Sequence, residues 1–99
     1  MFEMNEVQST VSEMQRNTFL RRIAEVSQED PNRWVPVGII GEELGLPYEV
    51  ALAIVDRLRE EGFVRRGGGG RLEPPHGPRV HILPQGVEHL RALDEGQNG

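Results

Sequence analysis

The first third of the chain carries apolar residues at helical spacing. They are Val11, Met14, Phe19, Leu20, Ile23, Ala24 and Val26. The later ones fit one stripe of a 3.6-residue period, and Thr10 and Glu13 have the spacing of a capping box. The pattern therefore predicts a helix over residues 10–27. The polar run 27–32, with its proline and asparagine, ends it in a turn.

Two shorter helical segments follow, and each is closed by a glycine. Residues 37–44 place Ile40 and Leu44 on one face, and Gly45 and Pro47 stop the segment. A second helix is predicted from residue 47 to residue 61, with Gly62 just past its end. Its expected inward residues are Ala51, Val55 and Leu58, flanked by Val50 and Ile54.

The segment after Gly62 reads as a hairpin. Residues 63–66 are β-prone, and residues 79–83 alternate polar and apolar side chains. Between them lie the four glycines 67–70 and a stretch rich in proline and glycine. The pattern predicts a two-stranded ribbon with a flexible tip. A further short extended stretch is expected over residues 33–36.

A last helix is predicted over residues 84–94, with Val87, Leu90 and Leu93 inward. Residues 1–9 and 95–99 lack such a pattern and are expected to be flexible. The length suits one domain, predicted over residues 10–94.

The order of these elements resembles the winged helix-turn-helix superfamily of bacterial and archaeal regulators. The residues that carry the resemblance are 40–47, 50–58, 60–64 and 80–87. The resemblance implies an α+β fold that is mostly α, with a two-stranded β-wing and a C-terminal helix. It also implies that helix 47–61 enters a major groove of DNA while the wing lies along the flanking phosphates.

Charge changes this picture, because the net charge is −5 whereas nucleic-acid binders are usually basic. Residues 1–62 hold twelve acids and six arginines, but residues 63–99 hold five arginines and four acids. All eleven basic residues are arginine. The predicted wing is locally positive, and the resemblance makes its arginines candidate phosphate contacts: Arg65, Arg66, Arg71 and Arg79. A solubilising hairpin with ordinary surface arginines is the alternative.

The outward face of helix 47–61 is less typical of a DNA reader. It is expected to present Tyr48, Glu49, Leu52, Ala53 and Asp56. Base readout normally uses arginine, lysine, asparagine or glutamine, and none of these stands at those positions. A face that packs against a partner protein is therefore a second interpretation.

Catalytic, metal and cofactor sites find no support in the sequence. Cysteine is absent, and His76, His81 and His89 share no ligand spacing. No serine has a partnered histidine and aspartate. Trp34, the one tryptophan, is expected at the rim of the core. We expect no enzyme activity, metal or cofactor.

The leading hypothesis is thus a DNA-binding transcriptional regulator. A homodimer joined by the terminal helices (about 10–27 and 84–94) would let two weak recognition elements act together. The acidic start of the chain is unlike a signal peptide and the apolar runs are short, so a cytoplasmic protein without membrane contact is expected. The alternative is a protein-interaction module that docks through the apolar and acidic face of helix 47–61. Binding of RNA or single strands through the wing lacks the aromatic residues that such binding prefers.

Overall fold

Helices and short strands make up most of the chain that the computed structural model describes, residues 12–67 and 76–98. In order they are α1 (Glu13–Ser27), β1 (Val35–Pro36), α2 (Val37–Glu43), α3 (Tyr48–Glu60), β2 (Val64–Arg66), β3 (Arg79–Ile82) and α4 (Pro84–Asn98). This is the winged helix-turn-helix order, in which α2 and α3 form the helix-turn-helix and the β2–β3 hairpin forms the wing. The predicted fold class, α+β and mostly helical, is confirmed.

The start of α1 differs from the predicted capping box. The Ser12 hydroxyl accepts from the backbone N–H of Gln15 at 3.1 Å, and Gln15 Oε1 accepts from the Ser12 N–H at 3.3 Å. Glutamine at the third helical position supplies the same acceptor as glutamate, so the box forms two residues later than expected. Glu13 instead becomes the first helical residue. Thr10 and Val11 lie outside the described residues.

The end of α1 is a left-handed cap made without glycine. Gln28 and Glu29 have φ of 57° and 62°. The Glu29 N–H donates to the Ala24 carbonyl at 2.9 Å, and the Gln28 N–H donates to the Glu25 carbonyl at 3.3 Å. These bonds satisfy carbonyls that the helix leaves without partners, in the geometry that usually selects glycine.

The strands form one antiparallel sheet of order β1-β3-β2. Val64 lies opposite Ile82 and Arg66 opposite Val80, while Val35 of β1 also pairs with Val80. The predicted two-stranded ribbon is therefore the β2–β3 part of a three-stranded sheet. The stretch expected over residues 33–36 contributes only the two residues of β1.

The hydrophobic core lies between the helices and one face of this sheet. Phe19, Leu20 and Ile23 of α1 are fully buried, as are Ile54 and Leu58 of α3. The predicted inward residues of α3 are confirmed. Met14, one of the earlier apolar residues of α1, is 76% exposed, because the buried residues of this helix begin farther along it.

Helix α4 is longer than predicted and reaches Asn98. Leu90 is buried and Val87 and Leu93 pack partly against the core, as expected. Asp94, the last residue of the predicted helix, pairs with Arg21 of α1 at 2.9 Å. Residues 95–98, expected to be flexible, continue α4 from this anchored position. No helix of the described residues is long and apolar enough to cross a membrane.

Candidate nucleic-acid interface

The outward face of α3 is less apolar than its sequence suggests. Glu49 and Asp56 are exposed, whereas Tyr48, Leu52 and Ala53 are half-buried. Leu52 packs partly against the core, because it lies at the flank of the stripe that buries Ala51 and Val55. The described surface of α3 is therefore mainly acidic, with little apolar area.

Both arginines of α3 are engaged with acids. Arg59 lies 3.4 Å from Asp56, and Arg57 lies 3.1 Å from Glu61 at the helix end. The two residues of each pair are about one helical turn apart, and residues at that spacing are neighbours on the helix surface. Helix α3 thus presents no arginine without an acidic partner.

The return segment of the wing fixes the wing to the helix-turn-helix. The carbonyls of Pro78 and His76 accept hydrogen bonds from the first two N–H groups of α2, at 2.9 and 2.7 Å. Gly77, between them, has φ of +71°, and a Cβ there would lie 2.9 Å from the Tyr48 hydroxyl. The segment therefore caps α2 and abuts the first residue of α3. Sequence reasoning missed this contact, and the only available signal was the proline and glycine content.

The arginines of the described chain divide into two groups. Six pair with acidic side chains, and all of these stand on helices: Arg16, Arg21, Arg22, Arg57, Arg59 and Arg91. The other arginines among residues 12–67 and 76–98 are exposed and have no acidic partner there: Arg33, Arg65, Arg66 and Arg79. Arg65, Arg66 and Arg79 lie on the strands β2 and β3, and Arg33 lies two residues before β1. Arg71, the remaining candidate, lies outside the described residues.

The pleat of the sheet separates the predicted wing arginines. Val64, Val80 and Ile82 are buried in the core, and Arg66 pairs with Val80, so Arg66 lies on the helix side of the sheet. Arg65 pairs with His81. Arg65 is next to the core residue Val64 in β2, and Arg79 and His81 flank the core residue Val80 in β3, so their side chains point to the opposite face. Arg65 and Arg79 therefore lie on the outer face. The structure does not bring the three arginines together on one surface.

Trp34 lies on that outer face, so its predicted place at the core rim is wrong. Val35 points into the core, and its preceding neighbour must point the opposite way in an extended chain. The Trp34 side chain is 40% exposed and meets the His81 ring edge-on, with an interplanar angle of 61°. A Cβ on Gly67 would overlap the indole, which shows that the indole lies across the base of the wing.

A polar cluster at the meeting point of α1, α3 and α4 is structural in character. Arg16 is buried, contacts Glu61 and Asn17, and lies 3.3 Å from His89 Nε2. The His89 ring stacks on Phe63 with centroids 4.5 Å apart. Among the described residues, no three histidines, aspartates or glutamates are grouped so as to hold a metal ion.

Comparisons with known proteins find a likeness among solved structures but none among family models or curated proteins. Among solved structures, the chain is similar to a transcriptional regulator of the MarR family from Silicibacter pomeroyi, at 18% identity and a TM-score of 0.47. The match covers 93% of this chain and 64% of that one, so the chain spans just under two thirds of that protein's length. The winged helix-turn-helix fold of this chain follows from its own element order and sheet register.

Proposed function

We propose that this protein binds duplex DNA as a transcriptional regulator, with α3 in the major groove and the wing on the adjacent phosphates. The observation that carries this proposal is the division of the arginines. Those on the helices are neutralised by acids, whereas those on the sheet are exposed without acidic partners in the described chain. A cation without a partner is free to replace counterions on a phosphate backbone.

Arg66 is the described arginine best placed for this role. It is exposed on the helix side of the wing, the side that also holds α3. Arg71 belongs to the same proposal through the resemblance to winged helix proteins. Arg65 and Arg79 lie on the other face, so their contribution to duplex binding is expected to be smaller. Base recognition falls to Tyr48, Ala53 and the acids of α3, of which Glu49 and Asp56 suit cytosine amino groups.

Assembly as a homodimer forms part of the proposal, since it places two weak elements on neighbouring half-sites. The terminal helices α1 and α4 both line a groove of ≈ 350 Å³ that is open to a second copy. Leu44, Leu93 and the exposed Met14 are its apolar residues, and the rest of its lining is polar or charged. We place such a regulator in the cytoplasm and assign it binding without catalysis.

The second candidate function is docking of a basic partner protein on α3. It is favoured by Glu49 and Glu60, which are exposed on α3 and form no ion pair within the described chain. The reduced apolar area around Leu52 weighs against it. Substitution of Glu49 with arginine is expected to abolish capture of such a partner, while a retained complex would contradict the docking function.

Salt-dependent binding of a labelled duplex tests the main proposal. Fluorescence anisotropy is expected to show affinity that falls steeply with salt, and Arg66→Ala should reduce the slope of log affinity against log salt by about one. Arg91→Ala is the matched control, because Arg91 on α4 already pairs with Glu29 and Glu88. Absence of duplex binding at low salt, with the protein folded, would overturn the proposal.

A further inference from the structure

The outer face of the sheet carries a group of residues that duplex binding through α3 leaves unused. Arg65 and Arg79 lie on this face, and so does Trp34, which directly precedes β1. Both arginines are exposed and have no acidic partner among the described residues. We name these three residues the outer platform. It faces away from the core and from α3.

The indole of Trp34 contacts the sheet on one side and is exposed to solvent on the other. One side lies over the backbone of Gly67, and its neighbour is the buried His81 ring, whose Nδ1 donates to the Pro31 carbonyl. These contacts hold the ring across the sheet, while 40% of the side chain is exposed to solvent. An aromatic ring held in one orientation by a sheet loses little conformational freedom when a second ring stacks on it.

We propose that the outer platform binds a single-stranded segment of nucleic acid. An unpaired base stacks on Trp34, and the neighbouring phosphates contact Arg65 and Arg79. Single strands are bound by this combination of an aromatic ring and a positive groove in general. The bases of a duplex have their faces covered by their neighbours, so a duplex offers the indole nothing to stack on. An acidic peptide would use the arginines but would gain little from the indole.

The proposal is independent of duplex binding, since it uses a different face of the sheet and different arginines. It also accounts for an exposed tryptophan in a chain with a single one. It reverses the expectation that the wing region lacks an aromatic residue for stacking, because the sheet register brings Trp34 beside residues far along the chain.

Trp34 itself reports the binding, since it is the only tryptophan of the chain. Titration with an oligothymidylate of about 12 nucleotides, a length within the range that one small binding domain covers, is expected to quench its fluorescence. A fully paired duplex that binds the protein should leave the fluorescence nearly unchanged. Equal quenching by duplex and single strand would overturn the proposal and place the duplex on this face.

Variants then separate stacking from charge and from folding. By anisotropy of a labelled oligothymidylate, Trp34→Ala should weaken binding about tenfold, whereas Trp34→Phe should stay within about threefold of the wild type. Arg65→Ala should lower the slope of log affinity against log salt by about 0.7, and Arg91→Ala should not. Duplex affinity is expected to be unchanged in Trp34→Ala. Should that variant unfold, the quenching titration of the wild type and the anisotropy titration of Trp34→Phe decide. No quenching, or equal affinity of Trp34→Ala in its folded form, would overturn the proposal.

Discussion

One guanidinium nitrogen of Arg16, Nη1, lies 2.9 Å from both carboxylate oxygens of Glu61, the residue that caps the end of α3. Arg16 is 7% exposed, so its charge depends on partners rather than on water. Its other terminal nitrogen donates to Asn17. The pair joins α1 to α3 at the point where the chain leaves the helix for the wing, and it fixes how the helix-turn-helix sits on the body.

Removal of the Glu61 carboxylate should therefore be costly. Glu61→Ala leaves a buried arginine without its anionic partner, and we expect a loss of about 2 kcal/mol in the free energy of unfolding. Asp56→Ala is the control, because it removes the partner of Arg59 in an exposed pair and should cost at most about 0.5 kcal/mol. Urea unfolding of both variants measures the difference. Equal stability of the two would mean that Arg16 is adequately hydrated without Glu61.

The same cluster predicts a stability that falls in mild acid. Burial first, and then the Arg16 guanidinium, lower the pKa of His89 below its ordinary value of 6.5, although Glu61 and Glu13 act in the opposite direction. The unfolded chain therefore binds a proton at a higher pH than the folded chain does. The stabilisation is fully present above pH 6.5 and is lost as the pH falls through that value toward the lowered pKa.

Unfolding by urea at a series of pH values across this window tests that dependence. His89→Gln keeps a donor near Asn17 but does not titrate, so the free energy of its unfolding should change less between neutral pH and the lowered pKa. Subtracting the free energy of unfolding of the variant from that of the wild type at each pH removes the contribution of distant carboxylates, which titrate equally in both proteins. A wild type that becomes more stable than the variant as the pH falls would contradict the assigned direction.

The junction between wing and helix-turn-helix predicts a selective effect of one glycine. Gly77→Ala places a Cβ 2.9 Å from the Tyr48 hydroxyl and forces a non-glycine residue to φ of +71°, so we expect a loss of about 2 kcal/mol. Gly45→Ala shares the backbone strain, with φ of +72°, but its Cβ would meet nothing within 4 Å. That control should lose only about 1 kcal/mol. Thermal or urea unfolding compares them, and a Gly45 variant as unstable as the Gly77 variant would refute the contact.

The sequence predicted the helices and the core of this fold because their signals are local. The apolar stripe of α3 and the glycines after α2 and α3 are periodic or adjacent features, and their positions were confirmed. The places of Trp34 and Gly77 depend instead on pairing between distant segments. Trp34 takes its face from the register of β1 with β3, and Gly77 takes its neighbour from the packing of the wing on α3. Neither contact is indicated by a periodic pattern of residues in the sequence.

Pairing between distant strands also divides the predicted group of wing arginines between two faces of the sheet. Arg65 and Arg66 are neighbours in the chain, so a reading of charge along the sequence groups them with Arg79. In a strand, adjacent side chains point to opposite faces, and the pairing with Val80 and His81 decides which face each one takes. The sequence thus predicted which segment is positive, while only the sheet register assigns its arginines to two surfaces.

The left-handed end of α1 offers a stabilising substitution. Gln28 has φ of 57°, a conformation that costs residues with a Cβ about 1 kcal/mol more than it costs glycine. Its side chain is exposed and forms no hydrogen bond within the described chain, so nothing offsets that strain. Gln28→Gly should therefore raise the free energy of unfolding by about 0.5–1 kcal/mol, whereas Gln28→Ala keeps the Cβ and should bring no gain. Urea unfolding of the two variants separates relief of strain from removal of the side chain. An equal gain in stability in both variants would assign the effect to removal of the side chain. A loss of stability in Gln28→Gly would show that the conformational freedom gained by the unfolded chain outweighs the relief of strain.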